Sequence, residues 1–259
     1  YIANKYNIEI EETERTPEQI SEDNEKESLF LVSDFAKNYF KKNLFEQEGK
    51  TVALSYLKER NFQDEIIKKF EIGYSANIKD NFSNAALEAG YKSNFLEKTG
   101  LTIVKENENI DRFRGRVIFP IKSMSGRILG FGGRILGSSK SIAKYINSPE
   151  SLIYQKSKVL YGIFESKQSI VKNDNCFLVE GYTDVIKMHQ CGISNVVASS
   201  GTALTENQIR LINRLTKNIT VVFDGDAAGS RAALRGIDLI LEQGMNVKIC
   251  NLPENDDPD

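Results

Sequence analysis

Cys176-Phe-Leu-Val-Glu180-Gly-Tyr-Thr-Asp184 is a short apolar run that ends in an acidic turn, and it sets the pattern of the chain's second half. The pattern recurs in Ile219-Thr-Val-Val-Phe-Asp224-Gly-Asp226. A third run, residues 247–252, is followed by Asp257-Pro-Asp259, and a fourth run covers residues 195–198. Short β-branched runs bounded by turn residues are typical of buried strands. The sequence therefore predicts four strands, three of which lead into acidic residues.

The segments between these strands carry helical periodicity. Apolar residues recur at helical spacing from Ala233 to Leu241, and Gly244 would end that helix. Thr205 and Gln208 have the spacing of a capping box at the start of another helix. Strands that alternate with helices of this length predict an α/β fold with a parallel sheet and right-handed crossovers. Ligands of such sheets bind beyond the carboxyl ends of the strands.

The predicted sheet places six carboxylates along one rim: Glu180, Asp184, Asp224, Asp226, Asp257 and Asp259. Carboxylates that lie close together raise one another's pKa unless a cation sits among them. Oxygen-only ligation suits Mg²⁺ or Mn²⁺, and two such ions about 3.5–4 Å apart stabilise the attacking and leaving oxygens in phosphoryl transfer. Each acid alone is explained equally well as a helix cap, a strand-end residue or part of a solvated tail. The set as a whole favours a metal site.

Composition bounds the class of protein. A chain of 259 residues with 40% hydrophobic and 27% charged residues is long enough for one or two folded domains. No apolar run approaches the ~18 residues of a membrane span, and no signal peptide is visible. Cys176, Cys191 and Cys250 lack CxxC spacing, which indicates reduced core cysteines in a cytoplasmic protein. With His189 as the single histidine, no zinc site is expected.

The formal net charge of −2 conceals two segments of opposite charge. Residues 1–28 hold nine acids against three bases, which predicts a solvated linker from a module upstream. Residues 112–167 hold eleven Lys and Arg against Glu150 and Glu165. Such a local excess of positive charge is what binding to a polyanion requires.

The first half of the chain predicts a different architecture, of the α+β kind. Residues 29–101 carry mostly helical periodicity, interrupted by glycines, and show no residues with evident chemistry. Residues 116–122 and 127–132 predict a hairpin around Ser125-Gly126, and Pro120 places its strand at an edge or a bulge. The glycines near this hairpin match neither GxGxxG nor the P-loop pattern, so we interpret them as strand glycines.

The three acidic motifs resemble a known domain. Glu180-Gly-Tyr-Thr-Asp184, Asp224-Gly-Asp226 and Asp257-Pro-Asp259 are similar to the Toprim domain, which bacterial DnaG-type primases share with type IA and type II topoisomerases and some nucleases. The spacing and the Asp-Pro-Asp ending resemble the primases most. Thr183 stands where the family motif commonly has Met, but it lies between the acids and is expected to matter little.

A second set of motifs is similar to the amino-terminal part of the DnaG polymerase core. It comprises Arg112-Phe-Arg114-Gly-Arg116, Gly130-Phe-Gly-Gly-Arg134, Lys144-Tyr145-Ile-Asn147 and Lys156-Ser-Lys158. With the Toprim motifs, the resemblance covers roughly residues 29–259. Topoisomerases and Toprim nucleases share only the Toprim part, which makes the primase core the specific match.

In that family the basic residues of these motifs line a ridge and groove beside the metals, where they are implicated in holding template and incoming triphosphate. The resemblance carries this role to Arg112, Arg114, Arg116, Arg134, Lys144, Tyr145, Asn147, Lys156 and Lys158. Lys and Arg bind phosphates without regard to base sequence, and a base can stack on the ring of Tyr145. A solvated surface explains any single Lys as well, whereas Arg112 and Arg114 alternate before a strand and are expected to face the same way.

The resemblance implies a primase catalytic core, with an α+β subdomain at residues 29–170 and a Toprim α/β subdomain at residues 171–259. Such a core joins ribonucleoside triphosphates on a single-stranded DNA template with the help of two or more Mg²⁺ or Mn²⁺ ions. The expected catalytic residues are Glu180, Asp224 and Asp226. Glu180 and Asp224 are the expected ligands of one ion, unless Glu180 acts as general base, with Asp184 in support. The expected ligands of the second ion are Asp224, Asp226, Asp257 and Asp259.

The chain begins at Tyr1 and ends at Asp259, so we interpret it as part of a longer protein. Relative to the family, it does not contain the upstream zinc module or the carboxyl-terminal helicase-binding domain. The expected partners are single-stranded DNA, ribonucleoside triphosphates and, through that further domain, the replicative helicase. A cytoplasmic monomer without membrane contact is the expectation.

Two alternatives follow from the same motifs. A Toprim topoisomerase or nuclease would break phosphodiesters, but a topoisomerase needs a nucleophilic tyrosine, and Tyr182 sits inside the acidic motif. A degenerate core would bind DNA without chemistry. The presence of all six acids argues against such decay.

Overall fold

The computed structural model describes residues 16–106, 108–137, 143–201, 203–223 and 236–253. Within these ranges the chain forms a four-stranded antiparallel sheet, a four-stranded parallel sheet and a two-stranded ribbon, with helices around them. The mixed α/β fold class predicted from the sequence is confirmed. None of the helices in these ranges combines the length and the apolar composition that crossing a bilayer requires.

Helices dominate residues 16–100. They are α1 (Pro17–Leu44), α2 (Gln47–Gly49), a π-helical stretch (Lys50–Leu54), α3 (Ser55–Glu59), α4 (Asp64–Lys69), α5 (Asn81–Glu88) and α6 (Ser93–Lys98). Gly90 and Gly100 follow α5 and α6 with positive φ angles of 88° and 67°, the left-handed conformation that ends a helix at low cost for glycine.

Helix α1 begins inside the segment that the acidic composition assigned to a linker. Thr16 and Gln19 form a reciprocal capping box, with a proline at the first helical position. Further along, Glu27 forms two hydrogen bonds of 2.6 Å with the guanidinium of Arg127. The segment predicted as a solvated linker is therefore helical over residues 17–28, where capping and ion pairs support the helix, and most of these residues are exposed.

The antiparallel sheet has the strand order β1-β4-β5-β6. Its strands are β1 (Gly73–Ser75), β4 (Arg116–Lys122), β5 (Ile128–Ile135) and β6 (Tyr145–Asn147), and the ribbon consists of β2 (Thr102–Lys105) and β3 (Glu108–Asp111). The predicted hairpin is confirmed, since β4 pairs with β5 across a turn in which Gly126 has a φ of 91°. Strands β1, β2 and β3 were not predicted.

Pro120 lies at the point where β4 changes from a central to an edge strand. Strand β1 pairs only with residues 116–118, so the side of β4 facing β1 is uncovered at Pro120, which lacks an N–H to donate. The pairing with β5 shifts register between Ile121 and Lys122. Strand β4 is therefore an edge strand at Pro120 and irregular just beyond it, so both of the alternatives predicted for this proline are found.

The parallel sheet has the strand order β10-β9-β7-β8. Its strands are β7 (Cys176–Val179), β8 (Val196–Ala198), β9 (Asn218–Phe223) and β10 (Asn246–Asn251). The helices around it are α7 (Ile163–Asn173), α8 (Tyr182–Gln190) and α9 (Glu206–Asn213), together with helical residues 236–242. The four predicted strands, their parallel pairing and the capping box at Thr205 and Gln208 are confirmed.

Three details of the second half differ from expectation. Leu241, assigned to the apolar face of its helix, is 55% exposed, whereas its neighbour Ile240 is fully buried. Cys176 is a core residue, but Cys191 and Cys250 are exposed, since Cys250 lies on the edge strand β10. Helix α7 runs across the expected subdomain boundary at residues 170 and 171, because Ile170 packs into the core of the parallel sheet.

The two sheets share a buried core and a buried ion network. Lys122 Nζ at the end of β4 lies 2.8 Å from Glu165 Oε1 on α7 and 2.9 Å from Glu71 Oε2 after α4. The side chains of Lys122 and Glu165 are both 8% exposed. Burial opposes the charge on Lys122, but the two carboxylates outweigh it and raise the pKa of this amine. The network joins the antiparallel sheet to the first helix of the second half.

His189, the single histidine of the chain, is buried on α8. Its Nε2 lies 2.9 Å from Ser166 Oγ, and its Nδ1 lies 3.1 Å from Lys69 Nζ. Ser166 donates its own proton to the carbonyl of Val196, so its oxygen accepts from Nε2–H while Lys69 donates to Nδ1. Burial, and then the nearby Lys69 ammonium, lower the pKa of His189 to about 3. The imidazole is neutral.

This histidine makes stability depend on pH in a defined window. An unfolded histidine titrates near a pKa of about 6.5, so between pH 6.5 and pH 3 the unfolded state binds the extra proton and stability falls as the pH falls. We expect the free energy of unfolding, measured with urea, to drop by about 2 kcal/mol between pH 8 and pH 5. The drop should vanish in His189→Gln. Equal pH slopes for the two proteins would contradict the assignment.

Candidate metal and nucleotide site

Glu180 lies at the carboxyl end of β7, on the rim where the sequence places the acidic cluster. Its side chain is exposed, and the helix α8 begins two residues later at Tyr182. Its carbonyl accepts a hydrogen bond of 3.0 Å from the backbone N–H of Ser200, in the loop after β8. The residue therefore presents a carboxylate to solvent from a backbone that the neighbouring strand's loop holds.

Asp184 has a different environment from Glu180. It is only 8% exposed, and its Oδ2 accepts a 2.7 Å hydrogen bond from the backbone N–H of Gly181. A carboxylate in the first turn of a helix is stabilised by the unpaired N–H groups there. Asp184 thus closes the turn that follows Glu180. The supporting role predicted for it fits this geometry better than direct metal ligation, which stays a prediction.

The other four expected ligands, Asp224, Asp226, Asp257 and Asp259, lie outside the described residues. The strands that precede them are described: β9 ends at Phe223, β10 ends at Asn251, and these two residues are register partners. Strand β9 also pairs with β7. The strands leading into the three acidic motifs are therefore neighbours with a common direction, as the prediction of a single rim requires.

The exposed Glu180 carboxylate suits a hard divalent cation, because oxygen is the ligand that Mg²⁺ and Mn²⁺ prefer. Within the part of the chain that the structure describes, no group of three or more His, Cys, Asp or Glu side chains is arranged to hold a metal. Glu180 accordingly fits as one ligand of a site that the carboxylates following β9 and β10 would complete.

Arg116 does not face the rim. It is 5% exposed, and its guanidinium donates at 3.1–3.3 Å to the carbonyls of Gly133, Ala143 and Lys144. Burial lowers its pKa. These bonds hold the segment before β6 next to β5. The guanidinium of Arg116 therefore supports the backbone at Lys144 rather than binding a phosphate.

Arg134 and Tyr145 are register partners on the adjacent strands β5 and β6. Arg134 Nη1 donates at 2.8 Å to the Tyr145 hydroxyl. The guanidinium carbon lies 5.2 Å from the ring centroid of Tyr56 and 5.3 Å from that of Tyr145. Cation–π contacts of this kind hold a guanidinium plane in place. The helical first half, which shows no evident chemistry in sequence, therefore contributes Tyr56 to the site.

Arg112 and Arg114 lie in a turn before β4, not in the strand itself. Gly115 completes the turn with a φ of 63°. Arg112 is half-buried and Arg114 is exposed. Side chains alternate between two faces only in an extended chain. The reason for expecting Arg112 and Arg114 to face the same way therefore does not apply in this turn.

The remaining basic candidates lie on two separate segments, one before β6 and one before α7. Lys144 and Lys158 are exposed, and Lys156 is half-buried. Residues 156–158 form a 3-10 turn that is fastened to the start of α9, since Gln208 Nε2 donates to the carbonyls of Lys156 and Val159 at 3.2 and 2.8 Å. This turn carries its lysines on the parallel-sheet side.

Asn147 connects β6 of the antiparallel sheet to helix α8 and to the loop after β8. Its Oδ1 accepts a 2.7 Å hydrogen bond from the Tyr182 hydroxyl, and its Nδ2 donates to the Ser200 carbonyl at 3.0 Å. Sequence reasoning identified Asn147 but missed Tyr182 and Ser200 as its partners. The only sequence signal for Tyr182 is its position between the two acids of the motif.

Tyr182 is seated against a glycine that leaves no room for a side chain. A Cβ on Gly132 would lie 2.4–2.6 Å from the Tyr182 ring and hydroxyl. The ring stacks on Phe119 at 5.2 Å with an interplanar angle of 4°. The glycine on β5 is therefore what permits the close approach of the acidic motif to the antiparallel sheet.

We expect Gly132→Ala to destabilise the protein by about 1–3 kcal/mol, because the new methyl must displace a packed ring. Gly130→Ala, two residues earlier on the same strand, serves as the matched control, since its Cβ would meet Ser148 at 3.1 Å and thus needs a smaller adjustment. Urea unfolding of both variants measures the difference. A Gly132→Ala protein no less stable than Gly130→Ala would refute this packing argument.

Comparisons with known proteins agree with this architecture. One family model, described as the DNA primase catalytic core, N-terminal domain, matches residues 39–167, and a second, described as Toprim-like, matches residues 177–259. The first match covers the antiparallel sheet, and the second covers the parallel sheet and its acidic rim. The chain is thus of the class that pairs a Toprim domain with a primase-type catalytic core.

Solved structures and curated relatives narrow the class. The RNA polymerase domain of the Mycobacterium tuberculosis primase DnaG superposes with a TM-score of 0.82 at 34% identity, covering 89% of this chain and 77% of that one. A DnaG primase catalytic domain bound to ssDNA gives 0.82 and 34%, covering 91% and 76%. The DNA primase of Halalkalibacterium halodurans is 37% identical over 260 residues, covering 100% of this chain and 43% of the relative.

The chain belongs to the DnaG-type DNA primase family and corresponds to its catalytic core. It spans less than half the length of the curated relatives it matches, 43% of the Halalkalibacterium halodurans protein and 42% of a Clostridium acetobutylicum DNA primase.

Proposed function

We propose that this chain is the RNA polymerase core of a bacterial primase. It joins ribonucleoside triphosphates into short RNA primers on a single-stranded DNA template, as a nucleotidyltransferase. The observation that carries the proposal is the exposed carboxylate of Glu180 at the carboxyl end of β7, where Ser200 and Asp184 bond to the backbone around it. The DnaG catalytic domain solved with ssDNA supports a DNA template.

Divalent metal is the cofactor we assign to the rim. Mg²⁺ or Mn²⁺ would be held by Glu180 and Asp224 at one position, and by Asp224 and Asp226 with help from Asp257 and Asp259 at another. When bound, such ions stabilise the charge that develops on the attacking and leaving oxygens in nucleotidyl transfer. Asp184 keeps the Glu180 backbone in place.

The basic residues position the substrates. The Arg134 guanidinium contacts the rings of Tyr56 and Tyr145, and a guanidinium held in this way suits a phosphate oxygen pair better than a mobile lysine does. Lys144 and Lys158 are exposed, and both suit the sequence-independent binding of phosphates. Arg112 and Arg114, in the turn before β4, would have the same role, whereas Arg116 supports the segment that carries Lys144.

We also propose the remaining features of the whole protein from its family. The amino-terminal subdomain would cover residues 29–170 and the Toprim subdomain residues 171–259, with helix α7 crossing the boundary. A replicative helicase would bind through a further domain, and the core itself would act as a cytoplasmic monomer.

Glu180→Gln tests the assignment of the rim. The substitution keeps the shape of the side chain but removes its charge, so we expect primer synthesis to fall at least 100-fold while the melting temperature stays within a few degrees. Asp224→Ala should have a comparable effect on synthesis. The matched control is Glu206→Gln, an exposed glutamate in the first turn of α9. Normal primer yield from Glu180→Gln or Asp224→Ala would refute the metal assignment.

The activity itself is tested with a single-stranded DNA template, labelled ribonucleoside triphosphates and Mg²⁺ or Mn²⁺, resolved on a denaturing gel. A ladder of short, template-dependent RNA is the expected result. Nicked or shortened DNA without RNA would replace the proposal by a Toprim nuclease or topoisomerase. Template binding without RNA synthesis or DNA cleavage would favour a non-catalytic core.

A further inference from the structure

A closed circuit of hydrogen bonds surrounds the Glu180 backbone. The Tyr182 hydroxyl donates to Asn147 Oδ1 at 2.7 Å, and Asn147 Nδ2 donates to the Ser200 carbonyl at 3.0 Å. The Ser200 N–H donates to the Glu180 carbonyl at 3.0 Å. The covalent chain from residue 180 to residue 182 completes the ring. Three separate elements, α8, β6 and the loop after β8, therefore meet in one hydrogen-bonded loop.

The circuit acts on a single peptide plane. The carbonyl of Glu180 and the N–H of Gly181 belong to the same peptide unit, and the two groups are bonded on opposite sides, to Ser200 and to Asp184. A peptide unit is planar, so fixing both of its polar groups fixes its orientation. The direction in which the Glu180 side chain leaves the backbone is then set by the position of Ser200.

Ser200 depends in turn on Asn147. Ser200 has a φ of 57°, which is uncommon for a residue other than glycine. Such a conformation persists when surrounding contacts hold it, and here both backbone groups of Ser200 are bonded, one to Glu180 and one to Asn147. Asn147 is oriented because its other amide atom accepts from Tyr182.

The packing around Tyr182 holds its hydroxyl in place for the bond to Asn147. Its ring is stacked on Phe119 and lies edge-on to Tyr161, with centroids 4.7 Å apart. Its side chain is buried, and its hydroxyl donates to Asn147 Oδ1 at 2.7 Å. The packed ring therefore fixes the position of the hydroxyl.

We propose that Tyr182 is a positioning residue for the Glu180 carboxylate, acting through Asn147 and Ser200. The circuit also joins the metal-binding rim to β6, the strand that carries Tyr145 and follows Lys144, so that the position of the nucleotide-binding side and the position of the acid are set together. This inference rests on the proposed function for its catalytic consequence, but not for its effect on metal binding.

The test compares two tyrosines in one aromatic cluster. Tyr182→Phe removes the hydroxyl that donates to Asn147 and keeps the ring. Tyr161→Phe removes a buried hydroxyl for which the described part of the chain provides no hydrogen-bond partner. Mn²⁺ binding is followed by the electron paramagnetic resonance signal of the free ion, and primer synthesis is measured as kcat and as KM for nucleotide and template.

We expect Tyr182→Phe to weaken Mn²⁺ binding and to lower kcat by about 3- to 10-fold each, the size of one lost hydrogen bond. The KM for template and the melting temperature should change little. Tyr161→Phe should match the wild type in Mn²⁺ affinity and kcat. In an Asn147→Leu background, the Tyr182→Phe effect should disappear, because Asn147→Leu already removes the hydrogen bonds to Tyr182 and Ser200.

Wild-type Mn²⁺ affinity and kcat in Tyr182→Phe would overturn the inference. So would an equal loss in Tyr161→Phe, or additive losses in the Tyr182→Phe, Asn147→Leu double variant, because each indicates a general packing effect. A wild-type chain that binds Mn²⁺ but makes no RNA would refute the polymerase function alone, since the binding titration still decides the role of Tyr182.

Discussion

The insertion of the Tyr182 ring into the antiparallel sheet is the contact on which the rest of the structure depends. It places the first turn of α8 against β4 and β5, where Phe119 stacks on the ring and Gly132 makes room for it. An aromatic contact of this kind combines a large buried area with a defined direction for the hydroxyl. Because Tyr182 is two residues from Glu180, the packing that joins the subdomains also sets the position of the acid.

The second joint between the subdomains is electrostatic. Lys122 lies between Glu165 and Glu71 in a nearly buried network. Such a network adds little net stability compared with apolar packing, but breaking one member leaves a buried charge unpaired, which makes the arrangement specific. The aromatic and ionic joints lie on the same strand, β4, which carries both Phe119 and Lys122. Strand β4 therefore makes both of the contacts that join the two halves of the chain.

Many of the helices and strands could be predicted from the sequence, but the contacts between them could not. The parallel strands and the capping box at Thr205 followed from local patterns, since apolar runs and helix starts depend on neighbouring residues. Strand β1 has three residues and no period of its own, and it forms because Gly73 packs tightly against Phe40 of α1. No local pattern signals such a contact. The same holds for the site, where Asn147 meets Tyr182 across 35 residues of chain.

Charge counting identified the basic region but not which charges face a ligand. Arg116 and Lys122 are held by internal partners, and Arg127 is bonded to Glu27 and lies 3.6 Å from the ring centroid of Phe30. A cation already satisfied in this way gains less from a phosphate, because it must first lose its partner. Fewer cations are thus available to bind a polyanion than the composition of residues 112–167 indicates.

The environment of Tyr182 also bears on the topoisomerase alternative. A tyrosine that attacks a phosphodiester must reach the phosphorus and lose its proton. The Tyr182 hydroxyl is buried, donates to Asn147 and has a raised pKa, so it is neither accessible nor readily ionised. Its role in the motif is to hold the backbone beside Glu180. A Toprim motif whose tyrosine is used in this way is suited to positioning a metal ligand, and the chemistry of breaking DNA through a tyrosyl phosphodiester would need a nucleophile from elsewhere.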